Sequence, residues 1–213
     1  DTRKDLTPVV QLASSPTVLV VHPGVKAGSI PELLALAKAS PGALTYASGG
    51  TGTTTHLAGE LFAIPGGIKW THVPYKGTGP ANIDLLGGRV SGMFGTILPV
   101  LPHIKSGRMR ALGVSSLKRS PALPDVPAVA ESLPGFEAVS FFGIAAPAGV
   151  PQPVLDKLNR EIARIITAPD MSDSLRKQGT DAVGNTQAEF TAFFNREMAK
   201  WAKIIKSAGI EPS

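Results

Sequence analysis

The sequence predicts an α/β protein built on a doubly wound, mainly parallel sheet. Two observations carry that prediction. Between residues 17 and 116 short apolar or alternating runs take turns with helical patterns, the order that strands and crossover helices impose on a parallel sheet. The loops leaving the carboxyl ends of these strands, 48–54, 75–79 and 95–98, are rich in Gly, Thr and Ser. In such a sheet those loops share one rim, where ligands bind.

Each element reads from its own residues. VVQLASSPTVLVVHPG (9–24) holds two apolar runs, 9–13 and 17–21, both expected as buried strands. SIPELLALAKAS (29–40) is a helix with Ser29 and Glu32 as a capping box and Pro31 in its first turn. Then follow a strand ALTYAS (43–48), a helix THLAGELFAI (55–64), and an alternating strand IKWTHVPY (68–75). GPANIDLLGG (79–88) is a helix closed by glycine, VSGMFGTI (90–97) a strand, LPVLPHIKSG (98–107) a short helix and MRALGVSS (109–116) a strand. Four prolines in LKRSPALPDVPAVAESLPG (117–135) mark a connector that wraps a surface. After a strand FEAVSFFGIAAP (136–147) come two amphipathic helices, 151–168 and 187–209, the second capped by Thr186 and Glu189. Two helices with one strand lack a sheet to cover, so further strands are expected on the N-terminal side.

Composition narrows the function. Of 213 residues 43% are hydrophobic and 17% charged, which fits a folded domain and excludes wholesale disorder. With no cysteine there is no thiolate nucleophile, disulfide or cysteine-bound metal. No apolar run approaches the ~20 residues of a membrane-spanning helix. The net charge of +5 is scattered, and its densest group, 104–120, has no interleaved aromatics, so nucleic acid is not the expected partner.

The stretch YASGGTGTTTHLAGEL (46–61) carries the chemistry. Gly49, Gly50 and Gly52 let the backbone turn and approach a ligand; the helix that follows offers unpaired N–H groups and a partial positive charge; Thr51, Thr53, Thr54 and Thr55 add hydroxyls. An anion is the expected occupant, with a plain turn and N-cap as the bland alternative. No Lys follows the glycines, as a P-loop needs, and Thr55 stands where a dinucleotide loop has its third glycine. No nucleotide or other cofactor is expected. VPYKGTGPA (73–81) repeats strand, turn and helix, with Tyr75 and Lys76 as cleft-facing candidates or, for Lys76, a solvated lysine. Gly95 either leaves room for a ligand or eases a bend. The four histidines, His22, His56, His72 and His103, have no metal-ligand spacing, and no G-x-S-x-G elbow occurs. A catalytic set would have to rest on His56 or Glu60, so binding without chemistry is favoured; the competing class is an enzyme acting on a carboxylate or phosphate ester with His56 as acid–base group.

Five stretches, LTPVVQLASSPTVLVVHP, YASGGTGTTTHLAGELF, HVPYKGTGPANIDLLGGRV, RMRALGVSSLKRSPALPDVPAVAES and FFGIAAPAGVPQPVLDKLNREI, resemble the Bug family, the periplasmic receptors of tripartite tricarboxylate transporters. The resemblance implies a periplasmic binding protein of type II, with a small carboxylate held in a cleft between two lobes and passed to the membrane components of the transporter. It implies a complete second lobe over 17–116, and a first-lobe remainder over 1–16 and 117–213 that includes the 117–135 crossover. Carried over by position, Ser48, Gly49, Gly50, Thr51, Gly52, Thr53 and Thr54 match the carboxylate loop, and Tyr75, Lys76 and Gly77 the second rim loop; Gly95 and Thr96 end the third strand. Related proteins often have an acid at the position of Gly95, so its absence favours di- or tricarboxylates, aromatic ones included, over amino acids. Family members begin with a longer N-terminal stretch. The expectation is therefore a truncated form that self-associates through exposed first-lobe helices, or a fragment that no longer binds.

Overall fold

The computed structural model describes residues 2–210. The outermost ends of the expected first-lobe segments, residue 1 and residues 211–213, lie outside the described residues. In chain order the elements are α1 (Thr2–Asp5), β1 (Leu6–Val21), α2 (Ile30–Ala39), β2 (Thr45–Ser48), α3 (Thr54–Gly66), β3 (Thr71–Pro74), α4 (Thr78–Leu86), β4 (Gly92–Thr96), α5 (Ile97–Lys105), β5 (Arg110–Val114), a 3₁₀ turn (Val129–Glu131), β6 (Val139–Pro147), α6 (Gln152–Ile166), α7 (Pro169–Lys177), β7 (Asp181–Ala182) and α8 (Gln187–Ser207). The chain forms two compact units. One combines the residues up to Ser15 with Ser140–Lys206; the other is Pro16–Val139 with the tail from Ser207.

In the second unit the strand order is β3-β2-β4-β1-β5. β2 pairs parallel with β3 and β4, whereas β1 pairs antiparallel with β4 and β5. Four strands thus run one way, and β1 alone runs against them. The α/β class stands; the sheet is mixed, with β1 antiparallel to both neighbours in this unit, and the two apolar runs 9–13 and 17–21 form one strand of 16 residues. Pro16, which looks like a break, falls between two ladders: Ala13 and Ser14 pair with β7, and pairing with β4 resumes at Thr17. A proline is tolerated where no ladder N–H is demanded. Because β1 enters at the rim where the other strands end, Thr17 lies opposite Thr96, the last residue of β4.

Alternation sorts the strand residues to two faces. Val18, Val20, Ala47 and Met93 pack with Leu85 of α4, Ile97 and Val100 of α5, and Leu123 and Ala128 of the 117–135 segment. On the opposite parity Leu19, Tyr46 and Phe94 are wholly buried, and Phe94 meets Phe62 of α3 edge-on and stacks with Phe136. Burying a large side chain of this kind contributes about 1.5–3 kcal/mol. The caps agree with the sequence. Ser29 accepts from the Glu32 N–H while the Glu32 carboxylate takes the Gly28 N–H, and Thr186 and Glu189 bond reciprocally.

In the first unit the leading half of β1 pairs with β6 and β7. Val9, Val10, Ala146 and Leu155 of α6 form its core. α7 and β7 had no expectation in the sequence. α7 has no buried residue, and β7 is two residues long.

Candidate functional site

The register aligns the carboxyl ends of three strands. Ser48 lies opposite Pro74, and Ala47 opposite Met93, so the turns after β2, β3 and β4 leave the sheet at one edge. The first two are tied together by backbone bonds: the Tyr75 N–H donates to the Ser48 carbonyl at 3.0 Å and the Gly77 N–H to the Gly49 carbonyl at 3.0 Å.

The turn between β2 and α3 is built to stand without help from a ligand. Gly50 and Gly52 have φ of +131° and +78°, a region closed to most side chains. A Cβ on Gly50 would also lie 3.3 Å from the Tyr75 carbonyl oxygen. Thr53 is the N-cap of α3: its Oγ1 accepts from the His56 N–H and donates to the Gly50 carbonyl at 2.7 Å. Thr55 Oγ1 accepts from the Gly49 N–H at 2.9 Å, Ser48 Oγ from the Gly50 N–H at 3.1 Å, and His56 Nδ1 from the Gly52 N–H at 3.0 Å. Among the described residues, the N–H groups of Thr51, Thr54 and Thr55 take no protein acceptor, nor do those of Thr78 and Gly79 in the first turn of α4. Two helix N-termini therefore stand side by side; a Cβ on Gly49 would lie 3.3 Å from the Thr78 methyl. Free N–H groups and the positive ends of two helices favour an anion.

Beneath the turn lies an aromatic stack. The His56 and His72 rings are 3.9 Å apart and nearly parallel, and Tyr46 stacks on His72 at 4.9 Å. His72 Nε2 is 2.7 Å from Ser48 Oγ, and His56 Nε2 is 3.8 Å from a Glu60 carboxylate oxygen that the Tyr46 hydroxyl also bonds. Burial lowers the His56 pKa against the pull of Glu60; burial, then the His56 charge, lowers His72 to about 4. Burial and the Glu60 bond raise Tyr46.

Of the expected site residues, the structure gathers Ser48, Gly49, Gly50, Thr51, Gly52, Thr53 and Thr54 in the first turn and Tyr75, Lys76 and Gly77 beside it. Gly77, with φ +99°, is the N-cap of α4, and Lys76 is exposed with no carboxylate partner among the described residues. The Tyr75 hydroxyl is committed elsewhere, donating to Asp84 at 2.7 Å, where Arg89 also bonds. Thr96 is the N-cap of α5. Gly95 faces the core: a Cβ there would lie 3.0 Å from a Val100 methyl. His56 is buried under the turn instead of reaching out of it. Sequence reasoning missed His72, whose part in the site depends on a strand register that no local pattern announces. No group of three His, Asp or Glu among the described residues is placed to hold a metal ion, and no helix among them is long and apolar enough to cross a membrane.

An α/β fold whose rim offers uncommitted N–H groups and hydroxyls is suited to holding an anion. The chain belongs to the tripartite tricarboxylate transporter family receptors, the TctC family, which match it over residues 1–210. It is 41% identical over 204 residues to a Pseudomonas sp. protein described as "UPF0065 protein in tcbD-tcbE intergenic region", covering 95% of this chain and 61% of the relative. It is 36% identical over 207 residues to Protein BugT of Bordetella pertussis, covering 97% and 64%. The resemblance to Bug proteins therefore holds. The chain spans under two thirds of the length of both relatives. Among solved structures it matches R. palustris Rpa4515 with adipate at 34% identity and a TM-score of 0.85, covering all of this chain and 72% of that one. Solved neighbours include the periplasmic binding protein BugD and a TctC solute binding protein from Polaromonas, and the receptor family match favours binding over an acid–base role for His56.

Proposed function

We propose that this chain carries the ligand-holding rim of an extracytoplasmic receptor that captures a small di- or tricarboxylate, or an aromatic acid, for the membrane components of a tripartite tricarboxylate transporter. One observation carries the reading: two adjacent helix N-termini present the free N–H groups of Thr51, Thr54, Thr55, Thr78 and Gly79 at a single edge of the sheet. A carboxylate there accepts several N–H bonds, each contributing about 1.5–3 kcal/mol when the acceptor is charged. Exposed Lys76 adds long-range attraction for anions. Support from outside the chain comes from the family match and from the adipate in a 34%-identical neighbour.

The test is isothermal calorimetry with adipate, succinate, citrate and terephthalate, on this chain and on a form extended by the N-terminal stretch typical of the family. Saturable binding without turnover is expected from at least one form. Gly50→Ala, strained at φ +131°, is expected to weaken it by about tenfold or more. Failure of both forms to bind any of the four acids would remove the carboxylate reading. Binding by the extended form alone would assign the present chain the fragment reading.

A further inference from the structure

The two stacked histidines under the carboxylate turn have no place in that reading, yet they hold two of its backbone positions. His56, in the first turn of α3, sends Nδ1 to the Gly52 N–H at 3.0 Å. His72, on β3, sends Nε2 to Ser48 Oγ at 2.7 Å, and that same Oγ accepts the Gly50 N–H at 3.1 Å. Gly50 and Gly52 are the two residues of the turn with positive φ, so the histidines grip it where its backbone departs most from ordinary conformations. His56 holds Gly52 directly and His72 holds Gly50 through Ser48; neither ring needs to touch a ligand.

The grip by His56 fixes its tautomer. An imidazole nitrogen that accepts an N–H carries no proton, so the proton sits on Nε2, the atom facing Glu60 at 3.8 Å. A second proton would have to go to Nδ1, which would then point a donor at the Gly52 N–H. The groups facing the pair are Glu60 on α3 itself, Tyr46 on β2, and each ring for the other. Glu60 favours a charge on His56, whereas stacking at 3.9 Å opposes charge on both rings at once.

We propose that His56 and His72 are positioning residues: as a neutral stacked pair they hold Gly52 and, through Ser48, Gly50, so that the free N–H groups before α3 face a carboxylate, and a second proton on His56 releases the turn. The proposal rests on the carboxylate reading for its effect on affinity, but not for its effect on the turn. Its consequence is a receptor that holds its anion more weakly in acid. Simple charge attraction predicts the reverse, because an imidazolium near the turn would draw a carboxylate in.

The experiment has a ligand-free arm and a ligand arm, both on the full 213-residue chain. In the first, NMR follows the Gly52 amide and the His56 and His72 rings through an acid titration. The Gly52 amide is expected to shift with the His56 midpoint. In His56→Asn, whose side-chain oxygen replaces Nδ1 as acceptor, that inflection disappears while the amide stays bonded. In the second, adipate affinity is expected to fall in acid and to drop about tenfold in His56→Phe and His72→Phe, which keep the stack and lose the acceptors. His56→Asn and His72→Gln are expected to recover most of that loss and to keep only the acid dependence of adipate's own carboxyls, which titrate at ~4. A Gly52 amide indifferent to His56 protonation, undiminished binding by folded His56→Phe, or affinity that rises in acid would each overturn the proposal. Absence of adipate binding in the unmutated chain would move the ligand arm to the extended form and bear on the proposed function, not on the grip, and the Gly52 titration would still decide whether the histidines hold the turn.

Discussion

His72 makes the site's chemistry a matter of stability as well as binding. Its ordinary pKa of 6.5 falls to about 4 in the folded chain, chiefly through burial and then through His56. Between those values the unfolded chain takes up a proton that the folded chain refuses, so stability drops as pH falls from 6.5 towards 4 and is flat above 6.5. Urea midpoints measured across that window should decline in the parent and decline less in His72→Gln; equal declines would show that the proton goes elsewhere. Gly95 supports a second prediction. Its side-chain direction meets Val100 at 3.0 Å, so Gly95→Asp should lower stability by about 1–3 kcal/mol, from overpacking and a buried carboxylate. It should add no affinity for amino acids in calorimetry. The sequence pattern showed the glycines and threonines of the 48–54 turn, because each acts through local backbone conformation. It did not show His72, which reaches Ser48 across a strand pairing, nor that the Tyr75 hydroxyl turns to Asp84.

At the scale of elements, α3 joins fold to site. It is capped by Thr53, closed by Gly67 in the left-handed region, and packed through Phe62 on the aromatic face of the sheet. Thr53→Ala removes the cap and the bond to the Gly50 carbonyl together. It is expected to cost about 1 kcal/mol in thermal or urea unfolding and to weaken carboxylate binding as well; a loss of stability with unchanged affinity would separate the cap from the turn. Helices with strong start signals, such as α2 with Ser29 and Glu32 and α8 with Thr186 and Glu189, were legible to within a few residues. α7 was not, for its nine residues bury nothing fully and place only Met171 and Leu175 on an apolar face. The continuity of β1 was hidden by Pro16, whose tolerance depends on the gap between two ladders. Its antiparallel direction was hidden because alternation of strands and helices says nothing of a strand shared by two units.

For the whole molecule, the first unit is the less finished surface. Its groove of about 510 Å³ is lined by Leu6, Phe141, Ile144, Phe190, Phe194 and Met198, and Phe142 of β6 is 56% exposed. Contiguous apolar surface of this kind drives association, which is the ground for the expected self-association. Light scattering at micromolar concentration should give a mass above the monomer's 22.1 kDa, and Phe194→Glu should return it to the monomer; a monomeric parent would dismiss the idea.

The division of β1 between the units has a consequence for the order in which a ribosome delivers the parts. The second unit is nearly all one uninterrupted stretch, Pro16–Val139, and its five strands are complete once β5 has emerged. The leading half of the same strand meets β6 and β7 only later in the chain, where Ala146 and Leu155 join Val9 and Val10. The second unit can therefore fold before β6 and β7 are available to the first, a domain-by-domain order of assembly.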